Sequence, residues 1–254
     1  MLPIERRKEI AQMIKKEKSV RVNQLSEQFD VTEETVRRDL EKLEKEGVLK
    51  RTYGGAVLDN LVSDDLPYTD REKVNMDQKR LIAKYAAQLV DEGETLFIDA
   101  STSALEVIKQ VDPAKRITVI TNSLNAIHQL SQYSHINLIG IGGNLNEQTF
   151  SFEGPMAARF IDHYYADKMF FSVKGISKER GMMDSRESLA ELKSHMIANS
   201  KETILVIDES KFDQSALVRI IETDAIDTVI TEYPLDKSWK SYFEDQGVHV
   251  ILAK

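Results

Sequence analysis

Arg21-Val-Asn-Gln-Leu-Ser-Glu-Gln-Phe-Asp-Val-Thr-Glu-Glu-Thr-Val-Arg-Arg-Asp-Leu40 is the stretch on which the reading of this chain turns. Asn23 is placed to cap a short helix through Phe29 with Leu25 and Phe29 inward, Asp30-Val31 makes a turn, and Thr32 is a good N-cap for the next helix. There Val36, Leu40 and Leu43 recur at i, i+4 and i+7, giving one buried stripe in a helix that ends at Gly47. Upstream, Pro3 suits a first helical turn, and Ile10, Met13 and Ile14 mark another helix. Lys18 to Val22 breaks that pattern, with Val20 and Val22 alternating about Arg21. Downstream, Val48-Leu-Lys-Arg-Thr-Tyr-Gly-Gly-Ala56 reads as a short strand entering a glycine turn, the shape of a wing beside a helix-turn-helix.

A helix that enters the DNA major groove must bury one stripe and present hydrogen-bond donors from the other. Thr32, Thr35, Arg38 and Lys42 form such an outer stripe, with Arg37 beside it, while Arg21, Lys50, Arg51 and Tyr53 are placed to clamp flanking phosphates. A merely solvated helix, its Arg37-Arg38 pair balancing Glu33, Glu34 and Glu41, would look similar by itself. The ordered succession of helix, turn, capped helix and basic glycine wing within 56 residues favours the DNA reader.

Charge divides the same way. The chain of 254 residues carries a net -8, yet residues 1–56 hold 13 Lys+Arg against 11 Asp+Glu, and the remainder is net -10. If DNA is bound, the head binds it. With 41% hydrophobic and 30% charged residues the chain is in the globular range, which excludes disordered and collagen-like classes. The absence of cysteine excludes disulfides, thiolate nucleophiles and cysteine-held metals. No apolar run approaches the roughly 18 residues of a membrane span, and the charged start lacks a signal-peptide core, so a cytoplasmic protein without a membrane partner is expected.

Residues 57–73 mix turn formers and acids without periodicity and read as a linker; the expected domains are 3–58, a linker at 59–74, and 75–254. Beyond Met76, an amphipathic helix through Leu81, Ile82, Tyr85, Ala86, Leu89 and Val90 precedes apolar runs at 95–99, 117–121, 136–141, 169–173, 203–208, 228–231 and 248–252. Helical intervals separate most of these runs, the pattern of a largely parallel α/β sheet covered on both faces.

The quoted stretch, together with Gly47-Val-Leu-Lys-Arg51 and Gly54-Gly-Ala56, resembles the DeoR-type winged helix-turn-helix signature. The resemblance continues through Asp99-Ala-Ser-Thr-Ser103, Thr121-Asn-Ser123, Gly142-Gly-Asn-Leu-Asn146, Ala166-Asp-Lys168 and Asp208-Glu-Ser-Lys-Phe212, nearly the whole chain. It implies a bacterial transcription regulator, usually a repressor of a carbohydrate operon, whose C-terminal domain is similar to ribose-5-phosphate isomerase and senses a phosphorylated sugar. Two positions depart from the family pattern: Ser101 stands where glycine is common, and Leu189 stands where an acid usually lies four before Lys193, with Glu187 and Glu191 nearby.

The residues also point to anion binding on their own. Loops at the carboxyl ends of parallel strands converge over a crevice, and helices starting there aim N–H groups into it. Asp99-Ala-Ser-Thr-Ser103 and Thr121-Asn-Ser123 each follow a strand and open a helix, and Gly142-Gly143 leaves room for close backbone approach. Ser101, Thr102, Ser103, Asn122, Ser123, Gly142 and Gly143 are therefore candidate effector contacts, with Lys174, Lys193 and Lys211 as neutralising charges. Simple helix capping is the plainer account of each serine or threonine alone. Asp99 would repel a phosphate and is assigned to a sugar hydroxyl or to ordering the loop.

No cofactor is expected: the five histidines have no metal-ligand spacing, and Gly140-Ile-Gly-Gly lacks the last glycine of a dinucleotide fingerprint. The expected partners are operator DNA and a phosphorylated sugar, in a homo-dimer or homo-tetramer, because one head reads only a few base pairs. Two other readings stay open at this stage. One is a phosphosugar isomerase-like enzyme using Asp99, Glu187 or Asp208 as base with Lys193 or Lys211; the other is an architectural DNA binder that ignores metabolites.

Overall fold

Three helices and a small antiparallel sheet account for the N-terminal part: α1 (Pro3–Glu17), β1 (Ser19–Arg21), α2 (Val22–Phe29), α3 (Glu33–Lys45), β2 (Leu49–Thr52) and β3 (Gly55–Leu58), with strand order β1-β3-β2. The computed structural model describes residues 3–17, 19–45, 48–52, 54–58 and 67–254, which fall into two units, Met1–Asp64 and Asp65–Lys254. The expected helix end at Gly47, the clamp residue Tyr53, the side chain of Lys50 and linker residues 59–66 lie outside the described residues.

Ile10 and Ile14 of α1, Leu25 of α2, and Val36, Leu40 and Leu43 of α3 bury together with Leu49. Each such side chain contributes roughly 1.5–3 kcal/mol on leaving water. Asp30 closes α2 in the left-handed region at φ 49°, and the Val31 amide reaches back to the Ser26 carbonyl at 3.1 Å. Thr32 caps α3, its Oγ1 accepting the Thr35 amide at 3.3 Å. Asn23 is not a cap: α2 already begins at Val22, which the core needs, and the Asn23 Oδ1 accepts the Gln24 amide instead. The wing is a full hairpin, with β3 between β1 and β2. Gly55 permits this, since a Cβ there would lie 2.0 Å from the Val20 carbonyl oxygen. A polar tie crosses this core, Arg6 Nε of α1 to Asp39 Oδ2 of α3 at 2.6 Å.

The second unit opens with α4 (Tyr68–Arg71) and α5 (Met76–Ala86), then alternates: β4 (Thr95–Ile98), α6 (Thr102–Lys109), β5 (Ile117–Thr121), α7 (Leu124–Leu130), β6 (Ile136–Gly140). A hairpin, β7 (Asn144–Asn146) and β8 (Ser151–Glu153), leads to α8 (Pro155–Ile161) and β9 (Ala166–Phe171). Then come β10 (Gly175–Ser177), β11 (Gly181–Asp184), α9 (Glu187–Ala198), β12 (Ser200–Val206), β13 (Val218–Ile221), β14 (Thr228–Glu232), α10 (Lys237–Asp245) and β15 (His249–Ala253). Seven strands, one at each predicted apolar run, form a parallel sheet of order β15-β14-β12-β9-β4-β5-β6.

Strand alternation divides the core in two. Leu96, Ile98, Phe170, Ile204 and Val206 face a layer built from α5, α6 and α7; Phe97, Met169, Phe171 and Leu205 face α8, α9 and α10. At the amino ends the strands are tied by polar contacts: Lys168 with Glu94, and Asp227 accepting both the amide and the hydroxyl of Thr203 at 2.8 Å. From β4 the chain steps outward to β5 and β6, and from β9 it steps the other way to β12, β14 and β15, so the order reverses between β4 and β9. Ligand crevices form at such a reversal, outside the carboxyl ends.

Residues 67–74, read from sequence as linker, instead fold onto this unit. Tyr68 is 2% exposed, lies edge-on to Phe150 at 6.4 Å, and its amide donates to the Gln148 carbonyl. One helical turn is too short to display a period, which is why the stretch reads as unpatterned. Among the described residues no helix is long and apolar enough to cross a membrane.

Candidate functional site

On α3, Thr32, Arg37, Arg38 and Lys42 are exposed and Thr35 is half-buried, as are Arg21 and Arg51 exposed at β1 and β2. Arg37 pairs with Glu33 at 3.1 Å and Arg38 with Glu34 at 3.4 Å, both one turn apart on the surface. Such pairs are worth about 0.3–0.5 kcal/mol, so phosphate or base contacts readily replace them. Arg51 leans on Glu44 at 2.7 Å.

In the second unit, four strand ends meet over a cavity of about 950 Å³, including the part open to solvent. After β4, Asp99 shapes the turn: its Oδ1 accepts the Ser101 amide at 3.2 Å and the Ser101 hydroxyl at 2.5 Å. Ser101 Oγ in turn accepts the Ala104 amide and caps α6, whose first turn presents Thr102 and Ser103 to the cavity. After β5, Asn122 donates to the Phe152 carbonyl through Nδ2, while its buried Oδ1 has no partner among the described residues. After β9 come Ser172 and Lys174; after β12, Asp208 accepts from Asn75 Nδ2 at 3.0 Å and from the Ser210 amide at 3.1 Å.

Five cations, Arg71, Lys79, Lys174, Lys193 and Lys211, face the cavity against three carboxylates, Asp99, Asp184 and Asp208. Their roles differ. Lys193 is 8% exposed and donates to the Ser172 carbonyl at 2.6 Å, to Asp184 at 2.6 Å, and lies 3.0 Å from Asp99. Burial pushes its pKa down, but the two carboxylates outweigh burial and hold it above the usual lysine value. Its charge is thus internally neutralised, which corrects its expected part as a neutraliser of ligand charge. Asp99 also accepts the Ser101 amide and hydroxyl in the loop after β4. Lys211 has its pKa lowered, chiefly by burial, with Lys174 and Arg71 adding like-charge repulsion against Asp208. Lys79 is lowered to about 8 by burial, and its Nζ donates to the carbonyls of Arg71 and Val74 at 2.6 and 2.7 Å.

Three candidate contacts lie outside the cavity lining. Ser123 is 1% exposed and caps α7 through the Ala126 amide. Gly142 and Gly143 lead into the β7–β8 hairpin rather than a helix; Gly143 sits at φ 154°, where a Cβ would be 2.7 Å from the Glu153 carbonyl oxygen. The close approach of β8 accounts for the glycine there. Sequence reasoning missed Arg71, Asn75 and Lys79, which precede the first sheet strand. The one available signal was Lys79 itself, a lysine on the inward stripe of an amphipathic helix.

Residues 6–61 match the family described as DeoR-like helix-turn-helix domain, and residues 74–233 match the DeoR C terminal sensor domain. The HTH-type transcriptional regulator YulB of Bacillus subtilis is 41% identical over 100% of this chain and 98% of its own length. The transcriptional repressor AccR of Agrobacterium fabrum is 32% identical over 90% of this chain and 89% of its own. Among solved structures, ribose 5-phosphate isomerase A of Methanocaldococcus jannaschii is similar over 54% of this chain and 55% of that one, at TM-score 0.41 and 19% identity. With a DNA-binding and a sensor domain in the order found in regulators matched from end to end, the chain is a transcriptional regulator rather than an enzyme, and it belongs to the DeoR family.

Proposed function

We propose that this regulator represses a carbohydrate operon and is controlled by a phosphorylated sugar held at the β4/β9 reversal. The observation that carries the reading is the pairing in one cavity of the α6 N-terminus, at Thr102 and Ser103, with Lys211, whose Nζ has no partner among the described residues. Free N–H groups and a helix dipole favour a dianion there. Asn122 Oδ1, buried and unpartnered, suits a sugar hydroxyl. Ser101, Lys174 and Asp99 complete the proposed effector site, Asp99 as the brace of its loop. The repressor sign is supported by the relative AccR, which is named a transcriptional repressor.

Residues 3–58 would read DNA, and the second unit, including the segment from 67 onward that folds onto it, would sense the effector. Arg38 would read a base, and Thr32, Thr35, Arg37, Lys42, Arg21, Lys50 and Arg51 would hold phosphates or flanking edges. A cytoplasmic homo-dimer or homo-tetramer on repeated half-sites would give the specificity one head lacks.

The test is a gel-shift titration on the DNA upstream of the protein's own gene, with and without a panel of sugar phosphates. An effector coupling of about 1–3 kcal/mol would change operator affinity roughly 5- to 150-fold. Arg38→Ala should weaken specific binding by about 1–3 kcal/mol and leave effector response intact, whereas Thr102→Val should do the reverse. Indifference to every phosphosugar, or unchanged affinity in Arg38→Ala, would remove the corresponding half of the proposal.

A pH dependence follows from Lys79. Its pKa is depressed in the free protein, and a dianion nearby raises it, so binding favours the protonated lysine. Effector affinity should therefore be greatest below about pH 8 and decline above it, with fractional proton uptake on binding near pH 8–9. Titration calorimetry in two buffers of different ionisation enthalpy reads that uptake. Equal heats in both, after normalisation, would separate Lys79 from the anion.

A further inference from the structure

Of the cavity's five cations, Arg71 is the one delivered by the segment that opens the second unit. Its Nε is sealed from solvent and has no hydrogen-bond partner, and its side chain makes no ion pair among the described residues. The guanidinium lies over the Tyr68 ring, 5.5 Å from the centroid. A buried guanidinium N–H without an acceptor is costly, and an arginine facing Lys211 and Lys174 across a cavity adds like-charge repulsion. Both costs vanish when an anion sits among the three.

The segment itself, residues 67–75, is held by a few discrete contacts. Tyr68 is buried at one end; Asn75, in the left-handed region at φ 52°, donates to Asp208 at the other. Between them Lys79 ties the carbonyls of Arg71 and Val74, α4 is a single turn, and Val74 is 45% exposed. A strap with so few apolar contacts opens at low free-energy cost, so one added bond to a ligand shifts its order strongly.

We propose that Arg71 binds the anionic group of the effector, and that the strap 67–75 is thereby the part of the sensor that registers occupancy. This rests on the anion-effector reading above and assigns it a residue and a moving part. In chain order the strap is where the sensor begins after the DNA-binding unit.

Inorganic phosphate, the chemistry common to all phosphosugars, is the probe. Thermal shift of the full chain with phosphate is compared with chloride at equal ionic strength, alongside amide hydrogen exchange of peptides covering 68–75 and 101–105. The wild type should be stabilised by phosphate, with exchange slowed at least threefold in both peptides. Arg71→Gln should bind phosphate at least tenfold more weakly and lose the slowing at 68–75, while Arg71→Lys, which keeps charge but not the planar fork, falls between. Melting in chloride shows whether each variant is folded; if Arg71→Gln is not, Arg71→Lys decides, and affinity equal to wild type overturns the proposal. Phosphate that fails to stabilise even the wild type overturns the effector reading and this inference with it. Phosphate that stabilises wild type and Arg71→Gln equally overturns only the role of Arg71, and stabilisation with unchanged exchange at 68–75 overturns the strap.

Discussion

Replacing Lys193 with alanine is expected to lower the stability of the second unit by about 3–5 kcal/mol, the usual cost of stripping one partner from a buried charge group. Lys193 joins four elements: it sits on α9 and holds Asp99 after β4, Ser172 after β9 and Asp184 on β11. Asp99 and Asp184 are 2% and 5% exposed, so without the ammonium two buried carboxylates lose the cation they share. The turn that Asp99 imposes on Ser101 would loosen too, so effector response should fall with stability. In calorimetry the transition of this unit should drop by roughly 6–20 °C, taking about 2–4 °C per kcal/mol for a domain of this size. Lys193→Met, similar in length but uncharged, should be nearly as damaging; a drop under about 2 °C in both would show that the carboxylates do not depend on the lysine.

Asp39→Ala should unfold the DNA-binding unit selectively. Arg6 and Asp39 have side chains 7% and 6% exposed, and Arg7 adds a longer contact at 3.5 Å. Removing the carboxylate strands a guanidinium in the core between α1 and α3, again about 3–5 kcal/mol, in a unit small enough that its whole stability is of that order. Operator binding should vanish while the second unit still melts at its own temperature and still binds its effector. Asp39→Asn keeps an acceptor for Arg6 and should lose less. A double replacement, Arg6→Met with Asp39→Leu, should recover much of the loss, since a buried pair is often no better than well-packed apolar groups. Retained operator affinity in Asp39→Ala would mean that other contacts fix α3.

The seven parallel strands were legible because strands buried on both faces are written as unbroken β-branched and aromatic runs, and the DNA-binding helices because Val36, Leu40 and Leu43 keep one period over two turns. The short strands of the β7–β8 hairpin and of β10, β11 and β13 carry no such signal: three or four residues cannot show a period. The loop after β4 was legible as a helix start, since capping is local. The fate of Lys193 was not, because its carboxylates stand 9 and 94 positions away in sequence and only the fold brings both to it. Gly143 misled for a related reason: glycine announces a close approach without saying to what, and here the neighbour is the protein's own β8.

The polarity of the parallel sheet has an evolutionary consequence. The contacts that lock strand to strand, Lys168 with Glu94 and Asp227 with Thr203, lie toward one rim, while the loops after β4, β5, β9 and β12 that line the cavity leave from the opposite rim. Loops on the ligand rim can be rewritten to suit a new metabolite with the locking rim untouched, so descendants of this scaffold can change what they answer to while inheriting the same framework.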